Sequence, residues 1–266
     1  MPRLFLERFN TALAVFGQRF PRPNWDQKFK DDLINDYSFF SSRIEDPKLE
    51  YGDTIRFLNN EYVNKEKLSS FLQLEDHRKI LANIVERYNE FNLSEELIKD
   101  IHRDLMGSDL SWNGDYHPNL VGNYRNFPVS GSREPFFPDK DYAPHYNLDI
   151  IMSSHMEFFT RAFDRVDNSN DNNHMLTALA YFHNKFLNYI HPFADGNGRV
   201  CRIIMGTVMM KHGCPPIFPA IKTQEDMIGY INTIVACEQQ NSDLPLVEFL
   251  ANGMSEYLEA RLGAIL

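Results

Sequence analysis

One stretch of the chain, residues 191–202, combines residue types that can bind phosphate and move a proton. It reads HPFADGNGRVCR and lies between two segments with helical apolar spacing. It offers a titratable base, His191, a carboxylate, Asp195, and two arginines three positions apart, Arg199 and Arg202. A helix N-terminus is an anion site because its free backbone N–H groups and its dipole point the same way, and glycines let that backbone approach a ligand closely. The stretch therefore predicts a phosphate-binding turn with a base and a metal ligand beside it.

Structural roles are the alternative for each of these residues taken singly. His191 could be a core or capping histidine, and residues 195–198 could form an ordinary turn with a helix cap. The order Asp-Gly-Asn-Gly also resembles part of a calcium loop, but Arg199 stands where the EF-hand pattern needs Asp or Asn. Taken jointly, the residues of the stretch favour a binding and catalytic site.

The composition is that of an ordinary globular protein. Of its 266 residues, 43% are hydrophobic and 24% are charged, and the net charge is −10. That charge argues against a nucleic-acid partner. The three cysteines have no metal-type spacing, which favours a reducing, cytoplasmic compartment. The first ten residues do not resemble a signal peptide, and the longest uncharged apolar run, near 203–210, is too short to cross a bilayer, so no membrane partner is expected.

The elements that must position the stretch are predicted to be helices. Apolar residues recur at intervals of three and four through most of the chain. This spacing predicts helices at residues 11–20, 25–45, 68–91, 94–106, 148–163, 174–190, 200–211, 225–238 and 246–262. Pro47 ends the second of them. The helix 200–211 is almost entirely apolar, so we expect it to lie in the middle of a mainly α-helical, single domain.

The region 107–147 differs because glycine and proline recur throughout it. We expect a small β-hairpin there, with the segment 124–129 leading in and Phe136-Phe137 leading out. The candidate turn residues are Val129, Ser130, Gly131 and Ser132. A proline-rich surface loop is an equal alternative, and Arg125 could be a structural salt-bridge partner in either case.

The stretch 191–202 resembles the signature of the Fic family, His-Pro-Phe-x-Asp/Glu-Gly-Asn-Gly-Arg-x-x-Arg. Every defined position is matched, from His191 to Arg202. In overall organisation the resemblance extends over roughly residues 35–255. It implies a Fic-type helical bundle with a small β-hairpin flap near the active site. The chain would then be one domain, 1–266, in which N-terminal helices (1–60, with an inhibitory helix at 33–46) precede a catalytic core (68–212) and C-terminal helices (213–266).

The resemblance also implies a reaction, because Fic proteins mostly transfer AMP from ATP to a protein hydroxyl. His191 would be the general base and would have to be neutral near pH 7. Asp195 would hold Mg²⁺, and Phe193 would be a structural anchor that aims His191. The flap would hold the target segment by strand addition. The phosphate ligands would be the backbone amides around Gly196, Asn197 and Gly198 and the side chains of Arg199 and Arg202.

A second segment resembles the inhibitory motif of many Fic proteins, Ser/Thr-x-x-x-Glu followed by Gly or Asn. Ser41 and Glu45 match it, and Asp46 departs from its last position. In the family this glutamate pairs with the second arginine of the signature, which is Arg202 here. An arginine held in that way is lost to the γ-phosphate, and ATP then binds with its α-phosphate misaligned for attack. The alternative is that Glu45 is a solvated residue at a helix end.

Three functions are compatible with these residues. The leading one is a Mg²⁺-dependent protein adenylyltransferase, auto-inhibited by Glu45, with ATP and an unknown protein as partners. The second uses the same site in reverse, to remove AMP from a modified protein. The third, from another class, is a nucleotide-binding regulatory module without turnover, against which an intact His191 argues. A homo-oligomer is compatible with the exposed faces of helices 25–45 and 246–262.

Overall fold

A computed structural model describes residues 4–61, 64–107, 118–131, 139–169 and 171–263. Within these ranges the protein is mainly α-helical with one two-stranded hairpin, which confirms the predicted fold class. The helices are α1 (Leu4–Arg19), α2 (Gln27–Glu45), α3 (Tyr51–Leu58), α4 (Leu68–Arg87), α5 (Glu95–Leu105), α6 (Leu148–Asp167), α7 (Asn172–His183), α8 (Asn197–His212), α9 (Gln224–Gln240) and α10 (Leu244–Gly263). A π-helical segment, Asn184–Ile190, continues α7. None of the helices in the described ranges is both long and apolar enough to cross a membrane.

The central helix is α8, and it begins three residues earlier than predicted. Its residues from Asn197 to Met210 are all buried, and α2, α4, α5, α6 and α7 pack around it. The burial agrees with its apolar composition. Two arginines of the stretch, Arg199 and Arg202, lie inside this packed layer rather than on a surface.

The helix α2 carries the candidate inhibitory residues to the N-terminal end of α8. It begins at the Asp26 cap, whose carboxylate accepts a hydrogen bond from Phe29 N at 2.8 Å. Its buried face packs against α4 and α8, and the Tyr37 hydroxyl donates to the Arg202 carbonyl. It ends at Glu45 because Asp46, before Pro47, is extended rather than helical.

The helix boundaries differ from the predicted ones at several ends. The first helix begins at Leu4 rather than Thr11, because α1 packs along α10 over its length and Arg8 pairs with Glu259 at 2.6 Å. The helix expected at 68–91 ends at Arg87 and continues only as a 3₁₀ turn. The short helix α3 was not predicted, since eight residues offer little periodicity.

The hairpin exists, but its predicted turn is wrong. Ser130–Gly131 is the first strand, β1, and it pairs antiparallel with β2, Lys140–Asp141, with Ser130 opposite Asp141 and Gly131 opposite Lys140. The segment 124–129 is not a strand, because Arg125 N donates to the Pro192 carbonyl at 2.9 Å and draws this segment toward the 191–202 stretch. Ser132, Phe136 and Phe137 lie outside the described residues.

Candidate active site

A cavity of about 300 Å³ brings together most of the residues predicted from the two motifs. The predicted residues that line it are Glu45, Gly131, His191, Asp195, Gly196, Asn197, Gly198 and Arg202. Ser41, Phe193 and Arg199 are buried behind its wall. Segments from the N-terminal helices, the hairpin and the signature stretch therefore meet at one place.

His191 is presented by the π-helical segment. Its N–H donates to the carbonyl of Phe186, five residues back, and its backbone is left-handed, with φ at 49°. The ring nitrogen Nδ1 lies 2.9 Å from the Leu187 carbonyl oxygen, an acceptor only, so Nδ1 carries the proton. The other ring nitrogen, Nε2, is then the basic one.

The ring of His191 is covered by an aromatic side chain from the hairpin. Tyr142 stacks on it with ring centroids 3.9 Å apart and planes inclined by 12°. Burial lowers the pKa of His191 below its usual value of 6.5, and the nearby charge of Arg125 lowers it further. The imidazole is therefore neutral near pH 7, as a general base must be.

Arg125 holds the backbone around His191 through carbonyl oxygens. Its guanidinium donates to the carbonyls of His191 at 2.8 Å, Phe127 at 3.0 Å, Ala143 at 2.6 Å and Ile190 at 3.3 Å. It is buried, and no carboxylate lies among its partners in the described part of the chain. The salt-bridge alternative has no counterpart among the described residues, where the partners of Arg125 are main-chain groups that join the loop before β1, the segment after β2 and the turn at His191.

The turn after His191 is closed by a pair of amide hydrogen bonds. The Asn197 side chain accepts from Phe193 N and donates to the Phe193 carbonyl, both at 2.9 Å. Phe193 is fully buried and stacks on the ring of His102, with centroids 3.8 Å apart and planes inclined by 4°. The side chain of Asn197 is thus structural, while its backbone N–H begins α8.

His102, on α5, contacts this turn through Phe193 and Asp195. It was not identified from the sequence. Gly122 N donates to its Nδ1 at 2.9 Å, so Nε2 carries the proton and donates to the Asp195 carbonyl at 3.1 Å. Burial lowers the pKa of His102 to about 4. His102 is therefore neutral near pH 7, and its two ring nitrogens link the loop at Gly122 to the turn at Asp195 by hydrogen bonds.

The start of α8 requires glycine at two positions, one because of its backbone conformation and one because side chains of Glu45 and Arg202 lie against it. Gly196 has a positive φ of 75° and precedes the first helical residue. A Cβ on Gly198 would collide with Glu45 Oε1 and lie 2.9 Å from Arg202 Nη1. The N-terminal turn of α8 is therefore bare backbone facing the cavity, which is the arrangement that binds anions.

Asp195 and Arg199 lie side by side at this end of α8. The Asp195 carboxylate is 55% exposed, accepts from Gly196 N at 2.6 Å, and lies 3.4 Å from Arg199 Nη2. Arg199 is buried and donates to Gln73 Oε1 at 2.9 Å, but its Nε has no partner among the described residues. A phosphate role for Arg199 stays a prediction, and the unpaired Nε is the feature that favours it.

Arg202 is bound by both residues of the predicted inhibitory motif. Its Nε donates to Ser41 Oγ at 2.8 Å and its Nη2 to the Ser41 carbonyl at 3.0 Å. Nη2 also forms an ion pair of 2.5 Å with Glu45 Oε1. Asp46 does not prevent this contact, because it is held outside the cavity by the Ser70 hydroxyl at 2.5 Å.

One wall of the cavity is apolar and was not anticipated. It is formed by α9 and the end of α2, through Met227, Tyr230, Ile231, Ile234 and Ile44. The sequence shows these residues only as part of two helical stripes, with no sign that they face the signature stretch. Tyr142 and His102 were missed for the same reason, since their contacts join residues far apart in the chain.

The comparisons with known proteins relate this chain to one family. Residues 92–209 match the model of the Fic/DOC family. A relative from Nematostella vectensis, named protein adenylyltransferase Fic, is 27% identical over 170 residues, which are 63% of this chain and 34% of that protein. The protein of that name from Drosophila melanogaster is 32% identical over 195 residues, 65% of this chain and 35% of that protein. The chain thus spans about a third of the length of these curated relatives.

Solved structures show the same fold. A Fic domain containing signaling protein from Bacteroides thetaiotaomicron superposes with a TM-score of 0.74 at 20% identity, over 96% of this chain and 94% of that one. Residues 134–508 of Fic-1 from C. elegans superpose with a TM-score of 0.71 at 18% identity, over 98% of this chain and 72% of that one.

Proposed function

Because residues 92–209 belong to the Fic/DOC family, we propose that this protein is an adenylyltransferase that transfers AMP from ATP to a Ser, Thr or Tyr hydroxyl of a target protein. We also propose that it is auto-inhibited by the pairing of Glu45 with Arg202. The observation that carries the first proposal is a single cavity lined by a neutral histidine and by the bare N-terminal turn of α8. The names of the curated relatives support the same reaction.

The base in this reaction is Nε2 of His191. It takes the proton of the target hydroxyl while the hydroxyl oxygen bonds to the α-phosphorus, and the bond from that phosphorus to the bridging oxygen breaks to release pyrophosphate. Leu187 fixes the tautomer through Nδ1, and Tyr142 shields the ring from water. Arg125 fixes the backbone that carries the ring.

The phosphates of ATP would lie at the N-terminal turn of α8. The amides near Gly198 and the guanidiniums of Arg199 and Arg202 supply donors to the phosphate oxygens. Asp195 is the residue that fits Mg²⁺, because it offers one half-exposed carboxylate in a cavity that would also hold phosphate, and Mg²⁺ is commonly bound by one carboxylate together with phosphate oxygens. When bound, the ion would offset the negative charge of the leaving pyrophosphate.

The remaining walls suit a nucleoside and a peptide. The apolar side chains of α9, with Ile44, offer a surface for a planar base. Gly131 of β1 lines the same cavity, so a target segment added to the hairpin edge would bring its hydroxyl toward His191.

Inhibition follows from the state of Arg202. Its ion pair with Glu45 occupies the guanidinium that would otherwise bind the γ-phosphate. Glu45 Oε1 also crowds the space over Gly198, where phosphate oxygens would approach the backbone. ATP that binds beside Glu45 is therefore held with its α-phosphate out of line.

The test is the transfer of label from ATP to protein in the presence of Mg²⁺. We expect ATP labelled at the α-phosphate to label the Glu45→Gly variant strongly and the wild type weakly, and not to label the Glu45→Gly/His191→Ala double variant. ATP labelled at the γ-phosphate is the control, because it labels protein only in a phosphorylation. Label from the γ-phosphate, or full activity without His191, would contradict the proposal.

Removal of AMP is the second candidate, because Glu45 faces the same cavity as His191. Its Oε1 is engaged by Arg202, whereas its Oε2 has no hydrogen-bond partner among the described residues and is available to orient a water molecule. Protein pre-modified by the Glu45→Gly variant serves as the substrate. Loss of label on addition of wild type, but not of the His191→Ala variant, would identify this activity.

A further inference from the structure

A second cleft, about twice as large as the active-site cavity, lies on the opposite face of α2. The volume of this cleft is about 610 Å³, and that of the active-site cavity is about 300 Å³. The cleft is bounded by α2, the start of α3, the loop 220–222 and α10. Small-molecule sites commonly have volumes of about 300–1,000 Å³. No residue of the signature stretch lines this cleft.

The body of the cleft is aromatic and apolar. Phe39 and Phe40 of α2 face Tyr257 and Ala260 of α10, and Tyr51 closes one side with its ring edge-on to Phe39 at 5.0 Å between centroids. Such walls bind planar or aliphatic groups by excluding water from them.

The acidic groups around the cleft have cationic or hydroxyl neighbours. Asp36 accepts from the Tyr51 hydroxyl at 2.7 Å, from the Tyr257 hydroxyl at 2.8 Å and from Arg261 Nη2 at 3.0 Å. Glu50 lies 3.8 Å from the Lys67 ammonium. This end of the cleft therefore offers little negative charge to a ligand.

Glu256, also on the lining, interacts electrostatically with Arg8 of α1.

The opposite rim carries a cation without an acidic partner. Arg43 donates to the carbonyl of Leu49 and, at 2.8 Å, to the carbonyl of Lys222, and no carboxylate lies within ion-pair distance of it in the described part of the chain. Its remaining N–H groups are without partners among the same residues. Lys222 lines the same rim and adds a second positive charge.

We propose that this cleft binds a small molecule in which an aromatic body is joined to an anionic group, with the body between α2 and α10 and the anion on Arg43. The apolar walls would bind the aromatic body, and the Arg43 guanidinium, which has no carboxylate partner among the described residues, would bind the anionic group.

Occupation of the cleft would act on the active site through α2. Arg43 lies two residues before Glu45, and its bonds to the Leu49 and Lys222 carbonyls fix the C-terminal end of that helix. An anion that draws the guanidinium into the cleft competes with those carbonyls and loosens the segment that holds Glu45 on Arg202. This consequence rests on the proposed auto-inhibition, whereas binding itself does not.

Binding is tested with anilinonaphthalene sulfonate, an aromatic anion that fluoresces in apolar sites, and with phenylnaphthylamine, its uncharged counterpart. We expect one saturable sulfonate site that saturating ATP does not displace. Ala260→Trp, which fills the cleft from an exposed position, should weaken both dyes by about tenfold or more, and Arg43→Gln should weaken only the sulfonate, by about tenfold. Arg56→Gln, an exposed arginine of α3 outside the cleft, is the matched control. Equal sulfonate binding by wild type and Ala260→Trp, or an equal effect of Arg43→Gln on both dyes, would overturn the proposal.

Coupling is tested by transfer of label in the presence of the sulfonate. We expect the dye to raise labelling of the wild type and to leave the Glu45→Gly variant unchanged. Specific dye binding without any change in wild-type labelling, while Glu45→Gly is active, would overturn the coupling. An inactive Glu45→Gly variant would instead contradict the proposed function and leave the binding result standing.

Discussion

Glu45 Oε1 and Arg202 Nη2 lie 2.5 Å apart, although the two residues are separated by 157 positions in the chain. The partners differ in burial, since the Arg202 side chain is 1% exposed and that of Glu45 is 37% exposed. Arg202 also keeps two hydrogen bonds to Ser41 that do not involve Glu45. If Glu45 leaves, the guanidinium therefore stays oriented and its freed N–H groups face the cavity.

Two substitutions at Glu45 are expected to separate the effect of its charge on the rate of labelling from the effect of its size. Glu45→Gln keeps the size of the side chain but loses the charge, and Glu45→Gly removes both. Discounted for exposure, the ion pair contributes about 1–2 kcal/mol, so we expect modification by Glu45→Gly to exceed that by wild type about five- to thirtyfold, with Glu45→Gln between them. The measurement is the initial rate of labelling from α-labelled ATP.

Asp32→Ala is the control for this series, because it removes an exposed carboxylate of the same helix whose ion pair is with Lys28. If the initial rate of labelling rose equally in Asp32→Ala, the cause would be the loss of one negative charge from α2 and not the loss of the contact with Arg202.

The rate of the Glu45→Gly variant is expected to stay constant as pH falls to 6.5 and to decline only below it. A general base works when it is neutral, and burial holds the pKa of His191 below 6.5. Tyr142→Ala exposes the ring, so the acid limb of the profile should move up toward pH 6.5. Tyr146→Ala, an exposed residue nearby, should leave the limb in place. A limb that does not move in Tyr142→Ala would argue against burial as the cause.

Arg125→Lys is expected to lower kcat far more than it changes KM for ATP. A lysine ammonium has three donors and no planar fork, so it cannot serve the four carbonyls that Arg125 holds around His191. We expect a loss of about 3 kcal/mol in the free energy of unfolding, measured by denaturant titration. The exposed Arg161→Lys, whose partner is Glu157, should change neither quantity. Equal kcat values for Arg125→Lys and wild type would contradict a positioning role.

His102 is expected to make stability depend on pH between 6.5 and 4. Its pKa is about 4 in the folded protein against 6.5 in the unfolded chain, so the unfolded chain binds the extra proton in this window. Stability that is fully present above pH 6.5 is therefore lost as pH falls toward 4, by about 3 kcal/mol from this residue. In His102→Phe we expect the free energy of unfolding to fall less steeply over the same window. Parallel pH profiles for the two proteins would contradict this assignment.

The helices were largely predictable because apolar spacing records which face of each is buried. The same spacing placed Ser41 and Glu45 on one face of α2, and Pro47 marked its end. The signature stretch predicted the turn that precedes α8, and its phosphate-binding role stays a prediction.

The remaining features depend on contacts that leave no local pattern. The π-helical segment that carries His191 has the same apolar residues as a regular helix, so periodicity does not distinguish it. The partners of Arg125 are main-chain carbonyl groups. Every residue has such a group, so the sequence does not show which residues Arg125 contacts. The hairpin turn was misplaced because a two-residue strand offers no alternation of apolar and polar residues, and Arg125 fixes the position of the hairpin through the carbonyl of Ala143.

The contact between Gly198 and Glu45 has a consequence for how this protein can evolve. Any side chain at position 198 would push Glu45 away and would also crowd the backbone at which we propose that the nucleotide binds. Under the proposed auto-inhibition, a substitution at position 198 cannot relieve inhibition without impairing the proposed substrate site, whereas one at Glu45 can. Lineages that escape control are therefore expected to have done so by changes in α2, with Gly198 left untouched.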